Sequence, residues 1–177
     1  MIILGAIMAI VCALPFMAVT ISRNRVTKNV KKRLNELAAE NNGSLTRMEV
    51  HGKMALAMDE KEQRLFFVKQ HTDQVEKVVV DLSRMSQCRL EKQSRTVTSD
   101  RGKYLLIESV LLRLVPNTRT EEVKVTVFDI ETDLSLNGEL QFAERWAGII
   151  DEHLRLRIPV HEQPADTTPK RRYKASA

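Results

Sequence analysis

Apolar and polar positions change period several times along the chain. Met1 to Ile21 carries no charged side chain and is followed at once by Ser22, Arg23, Asn24 and Arg25. At about 1.5 Å per residue such a run reaches roughly 31 Å as a helix, close to the ~30 Å hydrocarbon core of a bilayer. A transmembrane helix is therefore expected over residues 1–21. Val26, Val30, Leu34, Leu37 and Ala38 then recur at three- and four-residue steps, and Asn41-Asn42-Gly43 supplies a stop. That pattern predicts a second helix from Val26 to Asn41, a stalk continuing the span. Its apolar stripe lasts about two heptads, short of a coiled-coil repeat, and is expected to pack on the body or on the bilayer surface.

From Ser44 the period becomes alternating. Met54, Leu56 and Met58 alternate with Lys53, Ala55 and Ala57; Asp59-Glu60-Lys61-Glu62-Gln63 interrupts, and Arg64 to Val68 resumes, which reads as a hairpin with a charged tip. Val75 to Leu82 and Ser86 to Lys92 are the next strands, the second with Cys88 and Leu90 on one face. Gln93 to Gly102 holds no apolar residue but Val97 and is expected as a long hairpin loop. Lys103 to Val115 is too long for an unbroken strand, so a bulge is expected around Glu108-Ser109. After the turn at Pro116-Asn117, Val123, Val125 and Val127 return to one face of a strand from Glu121 to Ile130.

After Leu136 the spacing is helical again: Leu140, Ala143, Ala147, Ile150 and Leu154 form a stripe broadened by Phe142, Trp146 and Ile149, with Asn137 as the expected N-cap. From Pro159 the chain has three prolines, no periodicity and the basic run Lys170 to Lys174, and is expected as a disordered tail over 159–177. The domain plan is thus anchor 1–21, basic juxtamembrane helix 22–43, β domain with C-terminal helix 44–158, and tail.

Charge adds orientation. Arg23, Arg25, Lys28, Lys31, Lys32 and Arg33 stand on one side of the apolar run and nothing charged stands on the other. Basic residues beside a span stay preferentially in the cytoplasm, so a single-pass inner-membrane protein with a cytoplasmic domain is expected. A secretory signal would instead carry its basic region ahead of a shorter apolar core. The formal +5 less these six leaves −1 for everything else, so the charge is local and argues for anionic lipid headgroups as the contact, not for nucleic acid. Within the span, Pro15 is a kink position, Cys12 reads as lipid-facing, and Gly5, Ala9 and Ala13 fall four apart on one face, a stripe that lets two helices approach closely.

The order of elements, six or seven antiparallel strands and one closing helix, resembles a pleckstrin-homology-like domain of the bacterial, membrane-tethered kind. The likeness rests on Met54-Ala55-Leu56-Ala57-Met58-Asp59-Glu60, Leu65-Phe66-Phe67-Val68, Cys88-Arg89-Leu90 and Ala143-Glu144-Arg145-Trp146-Ala147. It implies an α+β fold: anchor and stalk helices, then a mainly antiparallel β-barrel or sandwich closed by one C-terminal helix. Relatives that bind inositol phosphates have a basic turn between their first two strands. Taken as that turn, Asp59 to Gln63 has a net charge of −2, so phosphoinositide binding is not carried over.

Chemistry-bearing residues are scattered. His51, His71, His153 and His161 show no metal-ligand spacing, Cys88 is the only thiol outside the span, and no phosphate loop or dinucleotide fingerprint occurs. No cofactor, metal site or catalytic group is expected. Two surfaces invite an anionic partner: Arg89, Lys92, Arg95, Arg101 and Lys103 around the expected loop, and the Lys170 to Lys174 tail. The reading is a membrane-anchored binding or scaffolding module for an unidentified protein partner. The competing reading is a structural subunit of a homo-oligomeric or larger membrane complex, assembled through the Gly5-Ala9-Ala13 face and the stalk.

Overall fold

The fold of residues 25–157, apart from 72, 73, 101, 119 and 134, is described from a computed structural model. The anchor over 1–21 with Gly5, Ala9, Cys12, Ala13 and Pro15, the basic Arg23, the loop residue Arg101, His161 and the tail over 159–177 lie outside the described residues. No helix among the described residues is long and apolar enough to cross a membrane.

Helix α1 is described over residues 25–40. It ends in a Schellman turn: Gly43 N–H donates to Ala38 O at 2.8 Å, Asn42 N–H to Ala39 O at 3.1 Å, and Asn42 takes φ 52. Gly43 follows because a Cβ there would stand 2.7 Å from Phe66 Cζ. Seven strands come next: β1 (Arg47–His51), β2 (Met54–Asp59), β3 (Arg64–Gln70), β4 (Val75–Asp81), β5 (Met85–Ser99), β6 (Gly102–Pro116) and β7 (Val123–Asp129). One 3-10 turn over Leu82–Arg84 separates β4 from β5, and helix α2 (Glu139–Arg157) closes the described chain.

The strands form two antiparallel sheets, ordered β1-β2-β3-β4 and β5-β6-β7, with every neighbour consecutive in sequence. Neither sheet closes on itself, so the arrangement is two stacked sheets and not a barrel. The expected loop from Gln93 to Gly102 is not a loop. β5 runs on to Ser99 and stays in register with β6 to the pair Ser99↔Gly102, because main-chain pairing needs no apolar side chains. The bulge falls at Glu108: Gln93 pairs with Ser109 and Ser94 with Ile107. It exchanges the parity of β6, so that Ile107 and then Val110, Leu112 and Leu114 all reach the same core. β1 shifts another expectation. The first hairpin turn is Gly52-Lys53, and Asp59 to Gln63 joins the second strand to the third. A two-residue turn with one lysine holds no cation cluster, so the argument against inositol phosphates survives on the correct turn.

Two apolar clusters lie on opposite faces of the first sheet. Met54, Leu56, Met58, Leu65 and Phe67 face the second sheet and α2, which contributes Phe142, Ala143, Trp146, Ala147, Ile150 and Leu154. Ala55, Ala57, Phe66 and Val68 face outward and are covered by Val30, Leu34, Leu37 and Ala38 of α1. All of β2 is therefore buried, and the two alanines leave room for the helix backbone. The stalk stripe packs on the body; Val30, Leu34 and Leu37 are spent within the chain and offer no seam to another copy. At the start of α2 the first helical bond runs from Phe142 N–H to Gly138 O at 3.0 Å, which makes Gly138 the cap in place of Asn137, whose amide turns back to Ser135 Oγ at 2.6 Å.

Candidate functional site

Because its apolar stripe lies on the sheet, α1 turns its cations to solvent. Arg25, Lys28, Lys31 and Lys32 are exposed and Arg33 is half-buried. A shallow depression of about 500 Å³ on this side is lined by Lys28, Lys31, Lys32, Asn35, Glu36 and Ala39. Glu36 neutralises Lys32 at 3.7 Å one turn on, so the surface attracts anions without a fixed binding geometry.

The second expected cluster does not converge. Arg89 sits on the body of β5, its Nε donating to Gln87 Oε1 at 2.8 Å and its Cα paired with Arg113. Lys92 is exposed opposite buried Val110, Arg95 is paired with Glu108 at 2.8 Å across the bulge, and Lys103 is exposed opposite Thr98. At about 3.4 Å per residue, Arg89 and the Thr98-Lys103 pair are roughly 30 Å apart along the strand. What the structure makes of this segment is a two-stranded arm. β7 pairs with β6 only at Ser109 to Leu114, and beyond it Ser94–Ser99 and Gly102–Ile107 pair with each other alone. The arm leaves Tyr104 and Leu105 exposed, 51% and 62%.

Other ionisable groups are engaged in holding the fold, and sequence reading singled out none of them. Lys69, buried at the end of β3, donates to Asp133 Oδ2 at 2.7 Å and Val127 O at 3.1 Å, fastening the first sheet to the segment after β7. Glu49 of β1 accepts from Trp146 Nε1 at 3.1 Å and also from Arg145, which satisfies the one polar atom of a fully buried indole. Arg157 at the end of α2 donates to Gln63 Oε1, Leu82 O and Met85 O at 2.7 to 2.9 Å. Asp59 caps the turn it opens: burial pushes its carboxyl up, but N–H donors from Glu62, Ser44 and Lys61, with Arg64 nearby, outweigh that and hold it below the usual value. The parity of β3 carried a signal for Lys69, since Leu65, Phe67 and Lys69 fall on the core side.

The histidines stay apart. His51 Nε2 meets Asn137 O at 3.1 Å, His71 meets Glu76 at 3.4 Å, and His153 Nε2 is buried with no partner among the described residues. Nowhere among the described residues do three metal-ligating side chains gather. Burial, and then the charge of Asp151, push the Cys88 thiol up to about 12, so it is a buried apolar group at neutral pH. With this geometry in hand, comparison with protein-family models, curated proteins and solved structures finds no match.

Proposed function

We propose that the chain is a single-pass membrane protein presenting a non-catalytic, pleckstrin-homology-like binding or scaffolding module at the cytoplasmic face of the inner membrane. The observation that carries the reading is the uncharged run Met1 to Ile21 with its six basic residues on one side only. Two features of the body support it. Seven antiparallel strands and then a helix with a central buried Trp are in keeping with the six or seven strands and closing helix on which the resemblance rests. And the described part of α1 starts at Arg25, four residues after Ile21, so at most about 14 Å of chain separates Ile21 from a helix fastened to the first sheet. The body is held at the bilayer surface, with the Arg25 to Arg33 cations beside the headgroups at about 1 kcal/mol each. The partner is a protein reached in that layer, and the charged groups described above serve the fold and not a reaction.

Membrane topology tests the reading. Protease added to inverted membrane vesicles digests the body, protease added to intact cells leaves it whole, and alkaline carbonate does not extract the chain. Extraction by carbonate, or a mature protein that begins after Ile21, overturns the anchor. The subunit reading keeps the Gly5, Ala9 and Ala13 stripe as its support; crosslinking in native membranes separates the two, since ladders of the chain with itself favour the subunit.

A further inference from the structure

Among the described strands, the β5–β6 arm carries the two most exposed large apolar side chains, Tyr104 and Leu105, and carries them beside an unpaired edge. On the side where β7 stops at Ser109, no strand among the described residues lies against Gly102–Ile107. That stretch reads Gly-Lys-Tyr-Leu-Leu-Ile, without the proline or multiple charges that ordinarily blunt an edge. A bare two-stranded ribbon is marginal in water, so the arm gains from a third strand.

We propose that this edge is a strand-addition site for a second copy of the chain, the two β6 strands pairing antiparallel about a two-fold axis at Leu105. The sequence is self-complementary in that register. Leu105 faces its own counterpart, Tyr104 faces Leu106, and Lys103 faces Ile107, so apolar side chains meet on both faces and no like charges stand opposite. The partner strand takes the place beside β6 that β7 vacates; its Gly102 comes level with Glu108, so the turn of the partner copy's arm displaces Ile130, whose N–H donates to Glu108 O at 2.9 Å in the single chain. Four strands, β5-β6 and their counterparts, then make one sheet across two copies, and Leu105 and Tyr104 lose their exposure. The arm alone carries this pairing; it stands whether or not residues 1–21 span a membrane.

Cysteine crosslinking of the full-length chain tests the register. Residues facing each other across antiparallel strands have Cα atoms about 4.5 to 5.5 Å apart, within disulfide reach. In a Cys12→Ser background, with Cys88 protected by burial, Leu105→Cys is expected to give a disulfide-linked dimer on mild oxidation. Thr96→Cys, on β5 and about three strand spacings (~14 Å) from its counterpart, is expected to give none. Leu105→Lys, which sets like charges face to face at an exposed position, is expected to raise the dimer dissociation constant about tenfold while Trp146 fluorescence stays unchanged. Equal crosslinking at 96 and 105 marks random collision, crosslinks to the tail or to another protein mark a different occupant, and a monomer marks an idle edge; each overturns the proposal. Carbonate extraction of the same variants reads the anchor separately, so either idea can fail alone.

Discussion

Lys69 and Asp133 show what a buried charge costs and contributes in this fold. The ammonium is enclosed and donates to Asp133 and to the Val127 carbonyl, on which its stability depends. Asp133→Ala leaves a buried cation with one neutral acceptor and is expected to destabilise the protein by about 3 kcal/mol. Adding Lys69→Met removes the stranded charge, so the double variant should unfold in urea at a higher midpoint than Asp133→Ala alone. Asp59 gives the pH dependence. Its carboxyl is depressed in the folded state, so its contribution is complete above the unfolded value of 3.8 and is lost as pH falls through the lower folded value. Wild type should therefore exceed Asp59→Asn in unfolding free energy by a constant margin above about pH 5, and the margin should shrink as acid is added.

Among the elements, α1 has the least local support and the largest dependence on packing. Its solvent side carries a run of like charges, and Leu34, fully buried, sits mid-stripe over Phe66 and its alanine neighbours. Leu34→Ala is expected to cost about 2 to 5 kcal/mol in denaturant unfolding. Gly43→Ala, which drives a methyl into the Phe66 ring, is expected to cost about 1 to 3 kcal/mol. The helices, β2, β3 and β7 were legible because each buries a periodic stripe, and the Glu108 bulge because thirteen apolar-rich residues cannot run straight. Two elements were not. Arg47 to His51 is an edge strand whose only strong apolar positions, Met48 and Val50, serve the outer cluster. The outer half of β5 has only Val97 half-buried and is a strand through its ladder with β6, a long-range cause that composition does not record. The candidate cations fared similarly: their residue types were visible, but their spread along 30 Å of strand was fixed by that same ladder.

At the scale of the whole molecule, the question is whether the body is complete without the apolar run. Among the described residues both clusters are covered, the outer face of the first sheet by α1 and the inner face by the second sheet and α2. Val26 is the first described residue to join either cluster. A chain beginning at Ser22 is therefore expected to fold in water, with Trp146 buried and an unfolding midpoint equal to that of the full-length protein in detergent. A chain beginning at Ser44 lacks α1, bares Phe66 and Val68 to solvent and is expected to aggregate or melt markedly lower. Trp146, the only tryptophan, makes the comparison direct, because its emission reports the Glu49 contact and the core at once. Equal midpoints for the chains starting at 22 and 44 would show that α1 is a passenger on the sheet, and the account of a body held rigidly at the bilayer would lose its mechanical basis.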